Sequence, residues 1–186
     1  MKTILFLGDS LTAGYGLDSA DAYPAVIQQK IQSLGLNFEV VNGGLSGETS
    51  AGGVRRLDWL LRRQVEILVV ALGSNDGLRG IPVEETRKNL QSIITKARKR
   101  YPSVKVVLAG MQIPPTFGQQ YTRDFRDAFL EVARTYRTAW IPFLLDGVGG
   151  KPELNLPDRI HPNAEGHRIV AENVWKVLYP VLKSLE

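Results

Sequence analysis

A serine behind an apolar run, two histidines, and a few carboxylates and amides in short polar loops are the residues here that could do chemistry. Ser10 stands in Gly8-Asp9-Ser10-Leu11, directly after the apolar run 4–7. A serine on the tight turn after a buried strand presents its hydroxyl at the carboxyl edge of the sheet. That is a nucleophile-elbow position, although the pattern is not Gly-x-Ser-x-Gly. The same serine could instead cap a following helix. A nucleophilic serine needs a base, because its free hydroxyl is weakly nucleophilic at neutral pH. His161 lies in Asp158-Arg159-Ile160-His161-Pro162, where an acid three residues earlier can reach back and orient the ring. His167 falls inside a helical pattern and reads as a surface histidine. The six-residue spacing turns a helix by about 240°, so the two histidines do not share a face as metal ligands.

Acyl transfer also needs donors for a developing oxyanion. Three are available: the Ser10 N–H, a backbone N–H at Gly47 in Leu45-Ser46-Gly47-Glu48-Thr49, and the Asn75 amide in Gly73-Ser74-Asn75-Asp76. Taken singly, these loops are ordinary turn chemistry. A groove for an acyl chain could be lined by Leu78, Ile81, Ile113, Pro114, Pro115 and Phe117. The same residues could equally pack back onto the sheet.

All of these residues follow short apolar runs. Runs at 4–7, 38–41, 67–72 and 104–109, with a weaker one at 139–143, lack alternation and read as strands buried on both faces. Between them lie helical patterns at 24–34, 54–61, 83–100, 123–136 and 162–185, with Pro162 suited to a first helical position. Strand alternating with helix predicts an α/β fold: a five-stranded parallel sheet in a three-layer α/β/α, flavodoxin-like sandwich. In such sheets, sites form at the carboxyl ends of the strands.

The chain has 186 residues, which fits one domain over 1–186 that buries roughly 70% of the unfolded chain's surface. It has no cysteine, which excludes a thiol nucleophile, a zinc–thiolate site, an iron–sulfur cluster and a disulfide framework. The net charge of +4 is too small an excess to argue for nucleic acid. The clusters Arg55, Arg56, Arg62, Arg63 and Lys96, Arg98, Lys99, Arg100 read as solvated helix faces. No run reaches the roughly 18 apolar residues of a membrane-spanning helix. As numbered, the chain is expected in the cytoplasm, or in the periplasm or medium if a signal peptide has been removed. A monomer is compatible with the sequence, which sets no oligomeric state.

The ordered blocks Gly8-Asp9-Ser10-Leu11, Gly47, Gly73-x-Asn75-Asp76 and Asp158-x-x-His161 resemble those of the SGNH, or GDSL, hydrolases. The resemblance runs from residue 4 to the C-terminus. Ser46-Gly47-Glu48-Thr49-Ser50, Asn75-Asp76-Gly77-Leu78-Arg79-Gly80, Met111-Gln112-Ile113 and Tyr121 make the chain most similar to the bacterial thioesterase I/protease I/lysophospholipase and arylesterase group. The resemblance implies a flavodoxin-like fold and a serine esterase without metal or organic cofactor, acting on small acyl or aryl esters, thioesters and lysophospholipids. It implies Ser10 as nucleophile, His161 as base, Asp158 as its orienting acid, and Ser10, Gly47 and Asn75 as the oxyanion hole. It also implies that the loop after Asn75 borders the acyl groove.

Relatives usually carry glycine where this chain has Arg159. If that position needs positive φ, Arg159 is strained there. Its guanidinium would then oppose the His161 imidazolium or draw on the Asp158 carboxylate. The same triad would serve a carbohydrate O-acetylesterase, which would favour exposed aromatic residues. Trp59, Trp140 and Trp175 all fall in apolar-patterned segments instead. A non-catalytic flavodoxin-like binding module would hold an anion after the first strand, where Asp9 places a negative charge.

Overall fold

A computed structural model describes residues 1–186. Five strands, β1 (Lys2–Gly8), β2 (Phe38–Gly44), β3 (Ile67–Ala71), β4 (Lys105–Ala109) and β5 (Ala139–Ile141), pair in parallel in the order β2-β1-β3-β4-β5. This is the expected flavodoxin-like order, and its switch point lies at β1, between β2 and β3. Residues 4–7 of β1 and all of β3 are buried, which explains why their sequences run apolar without alternation.

Six helices lie between the strands and a seventh follows β5: α1 (Ser10–Ala13), α2 (Tyr23–Ser33), α3 (Ser50–Leu60), α4 (Ser74–Leu78), α5 (Val83–Arg100), α6 (Gln119–Tyr136) and, last, α7 (Ala164–Lys183). α2 packs on α7, and α3, α5 and α6 pack in series. With this strand order, the right-handed crossover rule for parallel strands assigns these two groups to opposite faces of the sheet. No helix is long and apolar enough to cross a membrane.

Three helix boundaries differ from the periodicity. α3 begins at Ser50 rather than 54 because the Thr49 hydroxyl accepts the Gly52 N–H. α6 begins at Gln119 rather than 123, after Gly118 at φ +89. α7 begins at Ala164, not at Pro162. The Asn163 side chain caps it by accepting the Gly166 N–H at 2.9 Å, and Pro162 pairs with Asn155 in a single bridge.

Three expectations about packing are overturned. Trp59 is 65% exposed despite its apolar-patterned neighbourhood. Arg56 is not on a solvated face: its Nη2 donates to Gly8 O (2.9 Å) and Gly43 O (2.7 Å), and its Nε donates to Glu48 Oε2 (2.8 Å). His167 is buried, and its Nδ1 accepts the Tyr23 N–H at 3.0 Å. Residues 167, 170, 171, 174, 178 and 182 form the buried stripe of α7, so helical spacing carried the signal for His167.

Candidate active site

The site forms where β1, β2 and β3 end. At Gly8 the chain leaves β1 so tightly that a Cβ there would lie 2.0 Å from Thr12 Oγ1, which requires glycine. Asp9 then caps α1, its Oδ1 accepting the Leu11 N–H at 2.9 Å. Ser10 is therefore the first residue of α1 and not its cap, which leaves its hydroxyl free for another partner. That partner is His161: Ser10 Oγ and His161 Nε2 stand 3.1 Å apart.

The loop 155–161 brings His161 to this point. Leu156 N–H donates to His161 O at 2.7 Å, and Arg159 N–H donates to Leu156 O at 2.8 Å, closing a tight turn. Asp158 sits at its centre. Its Oδ2 meets His161 Nδ1 at 2.6 Å, and its Oδ1 accepts the N–H groups of Ile160 (2.9 Å) and His161 (3.1 Å). The bond to His161, then the two backbone N–H groups, lower the Asp158 carboxyl to about 2. An ionised acceptor at Nδ1 places the imidazole proton there and turns the lone pair of Nε2 towards Ser10. Arg159 does adopt positive φ, at +61°, but its guanidinium makes no pair with Asp158.

The expected donors converge on the same edge. The Ser10 N–H is freed by its place at a helix start. Gly47 adopts φ +81°, which suits glycine, and no acceptor in the chain meets its N–H. One hydrogen of the Asn75 amide donates to Glu48 O at 2.9 Å, tying α4 to the Gly47 loop and leaving the second hydrogen available.

Two devices hold these loops, one buried and one partly buried, and sequence reasoning assigned neither. Asp76 accepts the Ser50 N–H (2.8 Å), the Ser50 hydroxyl (2.5 Å) and the Thr86 hydroxyl (2.8 Å), joining the starts of α3, α4 and α5. Arg56 ties the ends of β1 and β2 to Glu48. A third residue, Tyr15, lays its ring against the His161 imidazole with centroids 4.4 Å apart. Nothing in the sequence around Tyr15 marks this contact, because it arises between loops 146 residues apart.

A cleft of about 460 Å³ opens beside Ser10 and His161. Leu11, Leu78, Ile113, Pro114, Phe143, Leu145 and Ile160 supply its apolar wall, and Asn75, Gln112 and Asn155 are its amides. Of the expected lining residues, Leu78, Ile113 and Pro114 are present. Phe117 is not: it lies over Gly80 and packs edge-on against Tyr121, with centroids 5.8 Å apart. Ile81 and Pro115 are also absent from the lining. Asp9 reaches the cleft too. It is 1% exposed, its Oδ2 has no partner, and burial raises its carboxyl to about 6.

Esterase TesA of Pseudomonas aeruginosa is 41% identical over 182 residues, 97% of this chain and 90% of that protein. Thioesterase 1/protease 1/lysophospholipase L1 of Escherichia coli K12 is 34% identical over 181 residues, 97% and 85% of the two chains. Among solved structures, the psychrotrophic esterase EstA from Pseudoalteromonas sp., in a form inhibited by monoethylphosphonate, superposes with a TM-score of 0.92. It is 30% identical, covering 98% of this chain and all of that one. The model of the GDSL-like Lipase/Acylhydrolase family matches residues 6–169, so the end of β1 with Ser10, the Gly47 and Asn75 loops and the Asp158–His161 turn all lie inside it, and the chain belongs to that family of hydrolases.

Proposed function

We propose that this esterase hydrolyses short- to medium-chain acyl esters, aryl esters and acyl thioesters, lysophospholipids among them, through an acyl-enzyme on Ser10. The Ser10–His161–Asp158 relay, with spacings of 3.1 and 2.6 Å, carries this reading. Ser10 Oγ attacks the carbonyl carbon while His161 Nε2 takes its proton. Asp158 holds the Nδ1–H and stabilises the imidazolium. The oxyanion is received by the Ser10 N–H, the Gly47 N–H and the free Asn75 N–H. His161 gives its proton to the leaving oxygen or sulfur, then activates a water that releases the acid and regenerates Ser10. No step calls on a metal or organic cofactor.

The apolar wall of the cleft supports an acyl chain as the group held there, with Leu78, Ile113 and Pro114 in contact with it. No tryptophan lines the cleft, which weighs against an acetylated sugar. The relatives named as esterase and thioesterase support both leaving-atom classes.

Turnover of p-nitrophenyl esters from acetate to palmitate, beside one acyl-CoA and one acetylated sugar, tests the assignment. The expected rate is highest at short to medium chains and negligible on the sugar. Ser10→Ala and His161→Ala should each remove nearly all activity, with the double variant losing little more, because the pair acts as a unit. Retention of more than about a tenth of wild-type turnover by Ser10→Ala would make another group the nucleophile.

A further inference from the structure

The turn that carries His161 also carries an unpaired cation. Arg159 is held at φ +61°, a left-handed conformation that residues other than glycine rarely adopt. The turn enforces it through the Arg159 N–H to Leu156 O bond and the two N–H groups bound by Asp158 Oδ1. The side chain is exposed and no carboxylate pairs with it, while Asp158 is taken up by His161. Arg159 lines the cleft and is the one side chain there with a permanent positive charge. The one carboxylate in the lining, Asp9, is buried with Oδ1 engaged by the Leu11 N–H.

The position of this cation relative to the chemistry decides what it would meet. In the acyl-transfer reading, on which this inference rests, the leaving atom takes its proton from His161 Nε2. The leaving group therefore lies against the 155–161 turn, two residues from Arg159. We infer that Arg159 is a specificity-determining residue for the leaving group: it favours esters and thioesters whose alcohol or thiol carries a sulfonate, phosphate or carboxylate. A guanidinium meeting such an anion at a half-open cleft raises kcat/KM by about 3- to 10-fold at low salt. The preference weakens as salt screens the pair.

The test compares phenyl butyrate with 4-butyryloxybenzenesulfonate, which shares its acyl group but carries an anionic leaving group. The phenyl monoester of glutaric acid places the negative charge on the acyl side instead. Differences in intrinsic reactivity cancel when each charged-to-neutral ratio of kcat/KM is compared between wild type and variant. In Arg159→Gln the sulfonate ratio should fall about 3- to 10-fold, and Arg159→Lys should recover part of it. Raising salt should lower the ratio in wild type and leave it flat in Arg159→Gln. An unchanged sulfonate ratio overturns the inference. A fall confined to the glutarate ester also overturns it, because the cation would then face the acyl side. Failure of phenyl butyrate to acylate Ser10 in wild type would instead bring down the esterase reading itself.

Discussion

Ser10 owes its freedom to the residue before it. Asp9 takes the capping role that Ser10 would otherwise fill, so the hydroxyl can face His161 at 3.1 Å. Whether Ser10 was nucleophile or cap could not be read from Gly8-Asp9-Ser10-Leu11 alone, since either residue can cap a helix. Asp158 and His161 were legible because three residues across a tight turn is a local geometry. The Tyr15 contact and the departure of Phe117 from the cleft were not, because both depend on how separate loops meet. The Asn75 amide has one hydrogen bound to Glu48 O and one left for substrate. If that second hydrogen serves the oxyanion, Asn75→Ala lowers kcat by about 10²–10³ with little change in KM, since the bond strengthens in the transition state. Steady-state kinetics on a p-nitrophenyl ester checks this, and a raised KM at constant kcat would make Asn75 a ground-state binding residue.

At the scale of elements, the strands were written in the apolar runs, because strands covered on both faces have no polar positions to spare. Helix starts were less legible. The start of α3 moved from 54 to 50 through the Thr49 cap and the Asp76 carboxylate, which lies 26 residues from Ser50. Arg56 was misplaced for the same kind of reason. It stands in a cluster of arginines, yet this one side chain turns inward to two strand-end carbonyls and to Glu48, whose side chain is 10% exposed. Arg56→Ala should destabilise the protein by about 2–3 kcal/mol, because it removes three bonds and strands a largely buried carboxylate. It should also lower kcat, since Gly8 and the Gly47 loop lose their common tie. Arg56→Lys should recover less than half of either loss, because one ammonium cannot reach three acceptors in a planar fork. Urea unfolding and kcat measured on the two variants decide this, and a fully active, stable Arg56→Lys would refute the role.

Across the whole molecule, two buried groups bend the pH dependence of stability in opposite directions. Burial raises Asp9 from 3.8 to about 6, so the native state binds more protons than the unfolded chain between those values, and stability falls as pH rises through them. Burial lowers His167 from 6.5 to about 4, so the unfolded chain binds more protons, and stability falls as pH drops through that window. Each effect amounts to about 3 kcal/mol, and between about pH 4 and 6 they offset one another. Asp9→Asn keeps a capping oxygen but removes the buried charge. It should be more stable than wild type at pH 7, by up to about 3 kcal/mol, with the gain vanishing towards pH 4. Urea unfolding at both pH values measures it. A variant no more stable at pH 7 would show that Asp9 is not held at a cost.

The assignment of the nucleophile is tested most directly by labelling with a fluorophosphonate, followed by peptide mass mapping. The expected result is one phosphonyl group per chain, on Ser10, with activity lost in proportion to labelling and no label on Ser10→Ala or on denatured protein. A fully labelled protein that still turns over p-nitrophenyl butyrate, or a label mapped to another residue, would contradict an acyl-enzyme on Ser10.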